Sequence, residues 1–171
     1  MSNPIRDLPT AQLLSMITRG HVCEEDLQRP LLEVLKKPTR DNYPTTLLAV
    51  GELAERALAD QMRERTVMNS PQLVRDYLRV YFAGYEHESF VLMHLDAQHR
   101  LIEVEELFRG TLTQTSVYPR EVLKSVLKRN SSSLIVAHNH PSGVCNPSQA
   151  DRSLTRMLKS ALECIDVQIL D

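Results

Sequence analysis

The sequence predicts an α/β protein: a small all-helical region over residues 1–66, then a three-layer α/β/α domain over residues 67–171. Three observations carry this expectation. Up to residue 66 the apolar stripes recur at helical spacing. Beyond it, short apolar runs of strand length alternate with helical stripes, the pattern of a sheet covered by helices. The apolar run Leu134-Ile135-Val136-Ala137 then passes through a histidine-containing loop into an amphipathic helix, a strand–loop–helix unit.

In the first region, Leu13, Leu14 and Ile17 form one apolar face, with Pro9 and Thr10 before it and Gly20 behind. Leu27, Leu31, Leu32 and Leu35 make a second face, stopped by Pro38. A third helix is expected from Pro44 to Met62, carrying Leu47, Leu48, Leu53, Ala54, Ala57 and Leu58, with a loop over residues 37–44 before it.

In the second region, Leu73, Val74, Tyr77, Leu78 and Tyr81 sit at helical spacing after Pro71, and Gly84 ends that helix. Residues 90–95 and 101–108 are expected as two strands around the polar turn 96–99. Residues 111–117 are expected as a short third strand. Val122, Leu123, Val126 and Leu127 make the stripe of a helix after Pro119. Residues 134–138 form a further strand. Leu154, Met157, Leu158, Ala161 and Leu162 are the inner face of a helix opened by Ser148, and residues 166–171 start another strand.

Composition narrows the function classes. At 171 residues and 42% hydrophobic, the chain can bury a sizeable core. Net charge is −2; residues 1–66 carry nine Lys and Arg against ten Asp and Glu, and residues 67–171 carry eleven against twelve. Neither half is basic, so strong DNA binding is not expected. There is no apolar run of transmembrane length and no signal-like segment, so no membrane association is expected. Three widely spaced cysteines, Cys23, Cys145 and Cys164, fit a reducing cytoplasm rather than a disulfide framework.

The chemistry concentrates between His138 and Asp151. Side chains alternate along a strand, so His138 and His140 point to one side and Asn139 to the other. Pro141 stops the ladder because it cannot donate to it, and the following helix brings Asp151 back within its first turn. Two imidazoles and a carboxylate on a rigid frame suit one zinc ion, and three protein ligands leave a fourth position for water. Ser148 and Asp151 also have the spacing of a capping box, a structural role compatible with the chemical one.

The pattern H-x-H-P-x6-S-x2-D, here His138, His140, Pro141, Ser148 and Asp151, resembles the JAMM (MPN+) metalloprotease motif, in the His-Asn-His-Pro-Ser-Gly form of the bacterial RadC family. The likeness runs from about residue 66 to residue 171; it implies two or so further strands beyond that point, so a domain truncated at its C-terminus is expected, with an exposed edge strand through which a second copy could pair. The likeness takes in residues 90–96 (Phe-Val-Leu-Met-His-Leu-Asp), 107–111 (Leu-Phe-Arg-Gly-Thr) and 118–121 (Tyr-Pro-Arg-Glu). The letters His-Asn-His do not indicate an HNH nuclease, whose residues are spread over two strands and a helix. The resemblance implies a cytidine-deaminase-like α/β/α domain, with zinc on His138, His140 and Asp151 and with Ser148 helping to polarise the substrate carbonyl. It also implies a catalytic glutamate where the first helix meets the first strand. Glu88 occupies that junction; Glu86 is its alternate, and Glu121 is better placed to complement its own helix dipole. The family's N-terminal helix-hairpin-helix meets DNA through a glycine-rich turn. Here the segments 11–14 and 51–56 resemble its flanks, but Gly20 and Gly51 form no such turn, so a packing or partner-binding role is expected for residues 1–66.

His87, His94 and His99 are expected as surface or packing residues, Cys145 as an ordinary loop cysteine, and Arg120 as either a surface or a substrate-holding residue. Two function classes follow from the resemblance. The first is a zinc-dependent hydrolase of peptide or isopeptide amides acting on a protein or peptide substrate. The second is a non-catalytic MPN-like module for a protein partner or a DNA-repair assembly. The intact ligand pattern favours the first.

Overall fold

The computed structural model describes residue 5 and residues 8–38, 45–110, 117–141 and 146–170. The chain divides into two compact units, one made by residues 1–58 with 79–84, the other by residues 59–78 with 85–171.

The first unit is helical. It contains α1 (Thr10–Ile17), α2 (Glu24–Leu27), α3 (Leu31–Lys36) and most of α4 (Thr45–Glu64). The stripe Leu27, Leu31, Leu32, Leu35 does not form one helix. Pro30 stands between α2 and α3; it has no N–H to donate and pushes the preceding residue out of helical conformation. The chain restarts there, which leaves Leu27 and Leu31 exposed while Val34 and Leu35 reach the core. That core is Leu14, Val34, Leu35 and Leu47, with Ile17, Val22 and Val50 against it. Gly51 makes the packing of α4 on α3 possible: a Cβ there would stand 2.8 Å from the Leu35 carbonyl oxygen. An ion pair between Lys36 and Glu55 joins the same two helices. The expected loop over residues 37–44 falls mostly outside the described residues.

The second unit is an α/β structure around a four-stranded sheet ordered β2-β1-β3-β4, with β1 (Ser89–Leu95), β2 (Leu101–Arg109), β3 (Ser133–His138) and β4 (Gln168–Ile169). β1 runs antiparallel to both β2 and β3, and β3 pairs with β4 in parallel. Strand β1 is the centre, buried along its whole length, and its near-continuous apolar composition suits a strand covered on both faces. Phe90 and Leu92 turn to one face, where they meet Leu134 of β3, Val122 and Val126 of α6 (Pro119–Arg129), and Leu158 and Leu162 of α7 (Gln149–Glu163). Burying each such leucine contributes about 1.5–3 kcal/mol, which fixes α7 against the sheet. On the opposite face, Ile135 shares a cavity with Val67, Val74 and Leu78, the last two from the first turns of α5 (Pro71–Phe82).

Pro119 opens α6, and Asn130 closes it in the left-handed conformation at φ 52°. A 3-10 turn at Val67–Asn69, not apparent from periodicity, precedes α5, and its Val67 N–H donates to the His99 carbonyl at 2.9 Å. The final strand, Gln168–Ile169, starts later than expected because Asp166 turns the chain at φ 55° just before it; residue 171 lies outside the described residues. The expected strand over residues 111–117 lies, except for Val117, outside the described residues. None of the helices among the described residues is long and apolar enough to cross a membrane.

One polar group is built into this core. His94 is fully buried, its Nδ1 2.8 Å from Ser131 Oγ and its Nε2 3.2 Å from Ser125 Oγ. Glu105 Oε2 lies 3.4 Å from the same Nε2. Arg129 closes the network with contacts to Glu103 at 2.7 Å, Glu105 at 3.1 Å and Ser125 at 2.9 Å. Burial pushes the His94 pKa down, and the Arg129 charge adds to this, against the opposing pull of Glu105. His94 is therefore a satisfied core residue that ties β1, β2 and α6 together.

Candidate metal centre

The site forms where β1 and β3 meet the N-terminus of α7. The register pairs Phe90 with His138, so the last residue of β3 stands beside the first residues of β1. His138 and His140 converge: their Nε2 atoms are 3.0 Å apart, with the rings nearly perpendicular at 87°. Asp151 Oδ2 lies 3.6 Å from His138 Nε2. Two donors on one tetrahedral zinc, with bonds of about 2.0–2.2 Å, stand roughly 3.3–3.5 Å apart. Both observed spacings lie close to that value, and the imidazole–carboxylate donor set suits the ion. His138 and Asp151 are each about a fifth exposed, accessible yet held by their surroundings.

Asp151 is placed by a capping box. Ser148 Oγ accepts the Asp151 N–H at 3.1 Å, and Asp151 Oδ2 accepts the Ser148 N–H at 2.6 Å. Such a cap stabilises a helix by about 1 kcal/mol, and here it also orients the carboxylate toward the imidazoles. Partial burial raises the Asp151 pKa, but the hydrogen bonds from Ser148 and the two nearby histidines outweigh it, so the carboxyl stays below its usual range. The ionised form is the one that binds a cation.

Glu88 joins the two histidines. One ligating atom from each of Glu88, His138 and His140 lies within 4.8 Å of the others. Two carboxylates therefore approach the imidazoles: Asp151, engaged by the Ser148 backbone and 3.6 Å from His138, and Glu88, which groups with both histidines. Glu86 is exposed and lies outside this grouping. Glu121 sits in the first turn of α6 and is held by Lys124 at 3.0 Å and Arg120 at 3.3 Å. Arg120 is an exposed partner of that pair. His87 and His99 make hydrogen bonds with Glu106 and Ser133. Cys145 lies outside the described residues; Cys23 is buried and Cys164 is exposed.

Strand alternation assigned Asn139 only to the side opposite the histidines. The structure gives it a specific task. Its Oδ1 accepts the Ser89 N–H at 2.8 Å, and its Nδ2 donates to the His87 carbonyl at 2.9 Å. These are the residues on either side of Glu88, whose own carbonyl accepts the Gly110 N–H at 2.7 Å. No periodicity signals such a contact, because its partners lie about fifty residues upstream.

Glu88, His138 and Asp151 open onto a groove of about 470 Å³ whose apolar lining includes Phe90, Val117, Val136 and Leu154, with Arg152 and Arg156 along α7. A chain segment carrying an amide could lie there with its carbonyl beside the imidazole pair.

Residues 68–171 match the RadC-like JAB domain family. A UPF0758 protein of Acidovorax sp. is 47% identical over the whole of this chain and 71% of its own length. UPF0758 proteins of Polaromonas sp. and Leptothrix cholodnii are 58% and 62% identical over 73% of this chain. The aligned part spans 56% of the length of each of these two. With that match over most of its length, on a sheet whose strand ends bring His138, His140 and Glu88 together, the chain belongs to the family of RadC-like JAB-domain proteins.

Proposed function

We propose that this chain is a zinc-dependent hydrolase of peptide or isopeptide amides. The observation that supports it best is the placing of His138 Nε2 at 3.0 Å from His140 Nε2 and 3.6 Å from Asp151 Oδ2, with the Glu88 carboxylate beside the two imidazoles at the mouth of a groove. His138 Nε2, His140 Nε2 and Asp151 Oδ2 would hold one zinc per chain. When bound, zinc lowers the pKa of a coordinated water to about 7 and polarises a carbonyl.

The chain's own residues do the rest. Glu88 accepts a proton from the attacking water, whose oxygen bonds to the amide carbon. Glu88 then delivers that proton to the amide nitrogen as the C–N bond breaks, and the water's second proton follows to the amine, giving a carboxylate and an ammonium group. Ser148 Oγ accepts the Asp151 N–H, and its hydroxyl would turn from the Asp151 carboxyl to donate to the developing oxyanion. The apolar side of the groove, with Phe90, Val117, Val136 and Leu154, would align the substrate chain.

A second reading has an observation of its own: Glu88 groups with both histidines, whereas Asp151 is occupied by its cap. In that reading Glu88 is the third ligand and the domain is a metal-stabilised interaction module.

The test of the first reading is cleavage. Zinc-loaded protein is incubated with peptide and isopeptide-linked conjugates, and new amine and carboxyl termini are identified by mass spectrometry. Cleavage abolished by a chelator and restored by zinc is expected. A fully zinc-loaded protein that cleaves no amide in the panel would favour the interaction module.

A further inference from the structure

We propose that Asn139 is the positioning residue for Glu88, a role that rests on the reading of Glu88 as the proton-transferring group. Glu88 lies just before β1, beyond the last backbone pair of β1 with β3, Phe90 with His138. A carboxylate there would ordinarily sit on a loop and sample several directions. The Asn139 carboxamide supplies the missing rung. It has the donor and acceptor of a peptide group and uses both, the acceptor on the Ser89 N–H and the donor on the His87 carbonyl. The pairing also fixes which way the amide faces, since only one orientation satisfies both partners.

The backbone on both sides of Glu88 is thus tied to the residue between the two imidazoles. On its other edge, the Glu88 carbonyl is tied to Gly110, and Glu106 binds the Ser89 hydroxyl at 2.7 Å and His87 Nε2 at 3.3 Å. Residues 87–89 are held from β2 and from β3 at once. Strand alternation then turns Glu88 to the face of Phe90 and His138, while Ser89 turns away to Glu106. Because Asn139 lies between His138 and His140, any shift of the imidazole pair carries the Glu88 backbone with it. One side chain couples the base to the ligands and keeps their spacing fixed.

The experiment compares wild type, Asn139→Ala, Asn139→Asp and Glu88→Gln. Asn139→Ala removes both bonds, so the Ser89 amide should exchange with solvent roughly 2- to 10-fold faster. Zinc affinity should stay close to wild type. In the wild type, zinc should shift the Glu88 side-chain carboxyl carbon resonance, assigned by its absence in Glu88→Gln, and Asn139→Ala should lose that shift. On a cleaved amide, Asn139→Ala should lower kcat by about 10²-fold with little change in KM, the cost of a misplaced reacting group. Added to Glu88→Gln, it should cost nothing more. Asn139→Asp keeps the acceptor, so Ser89 should remain protected and the carbon shift should be retained in part; this variant decides the matter if Asn139→Ala does not fold.

Unchanged Ser89 exchange would overturn the proposal. So would a full zinc-induced Glu88 shift in Asn139→Ala, or an equal loss of activity on the Glu88→Gln background. If the wild type cleaves no amide, the hydrolase reading fails, while the exchange rate and the carbon shift still decide whether Asn139 positions Glu88.

Discussion

Glu88→Gln is expected to keep zinc and to lower amide hydrolysis toward the upper end of the roughly 10²–10⁴-fold range for general acid–base catalysis. Glutamine has the size of glutamate and one carbonyl oxygen, so the backbone ties at His87, Ser89 and Gly110 are undisturbed. What is lost is the site for a proton. The same residue serves two transfers, from the attacking water and to the leaving amine, so both steps fail together. Zinc content by plasma mass spectrometry and single-turnover kinetics on a cleaved conjugate check it. A Glu88→Gln protein that loses zinc would make Glu88 a ligand, in line with its grouping with the two histidines. A Glu88→Gln protein that is fully active would move the proton transfer to another acid.

His138→Ala and His140→Ala should each weaken zinc binding by more than the roughly 10–100-fold that follows loss of an outer-shell partner, and hydrolysis should fall with it. Each removes a nitrogen from a pair whose spacing of 3.0 Å fits a shared ion. The fold should survive. His138 is partly exposed at the end of β3, outside the cluster of Phe90, Leu92, Leu134, Leu158 and Leu162 that holds α7 to the sheet. Helical circular dichroism should therefore be unchanged while dialysed protein retains little metal. Full occupancy in the double variant would remove the histidines from the site.

The parts of this protein legible in the sequence are those governed by local rules. Pro119 and Ser148 mark the starts of α6 and α7, and the run from Leu134 to His138 is a strand because little else suits it. Alternation places His138 and His140 on one side, although β3 itself ends at His138 and the loop beyond it completes their approach. Glu88 is different. No periodicity links it to residues fifty positions later, and only the register of β1 on β3 brings it there; the resemblance pointed to it, not the spacing. The second helical stripe misled because Leu27, Leu31 and Leu35 keep the helical period across Pro30, and the period is silent about a missing donor. The polar tie of His94 to Ser125, Ser131, Glu105 and Arg129 was equally hidden, since its partners come from β2, α6 and the turn after it. Asn139 was visible only as the residue facing away.

The coordination of zinc in the loaded protein tests the central claim most directly, and X-ray absorption at the zinc edge measures it. Four ligands are expected, two of them imidazole nitrogens and the others oxygen, all at about 2.0–2.2 Å, with the oxygens supplied by Asp151 and water. A sulfur shell at about 2.3 Å, or an oxygen-only shell without imidazole scattering, would contradict a centre built from His138, His140 and Asp151.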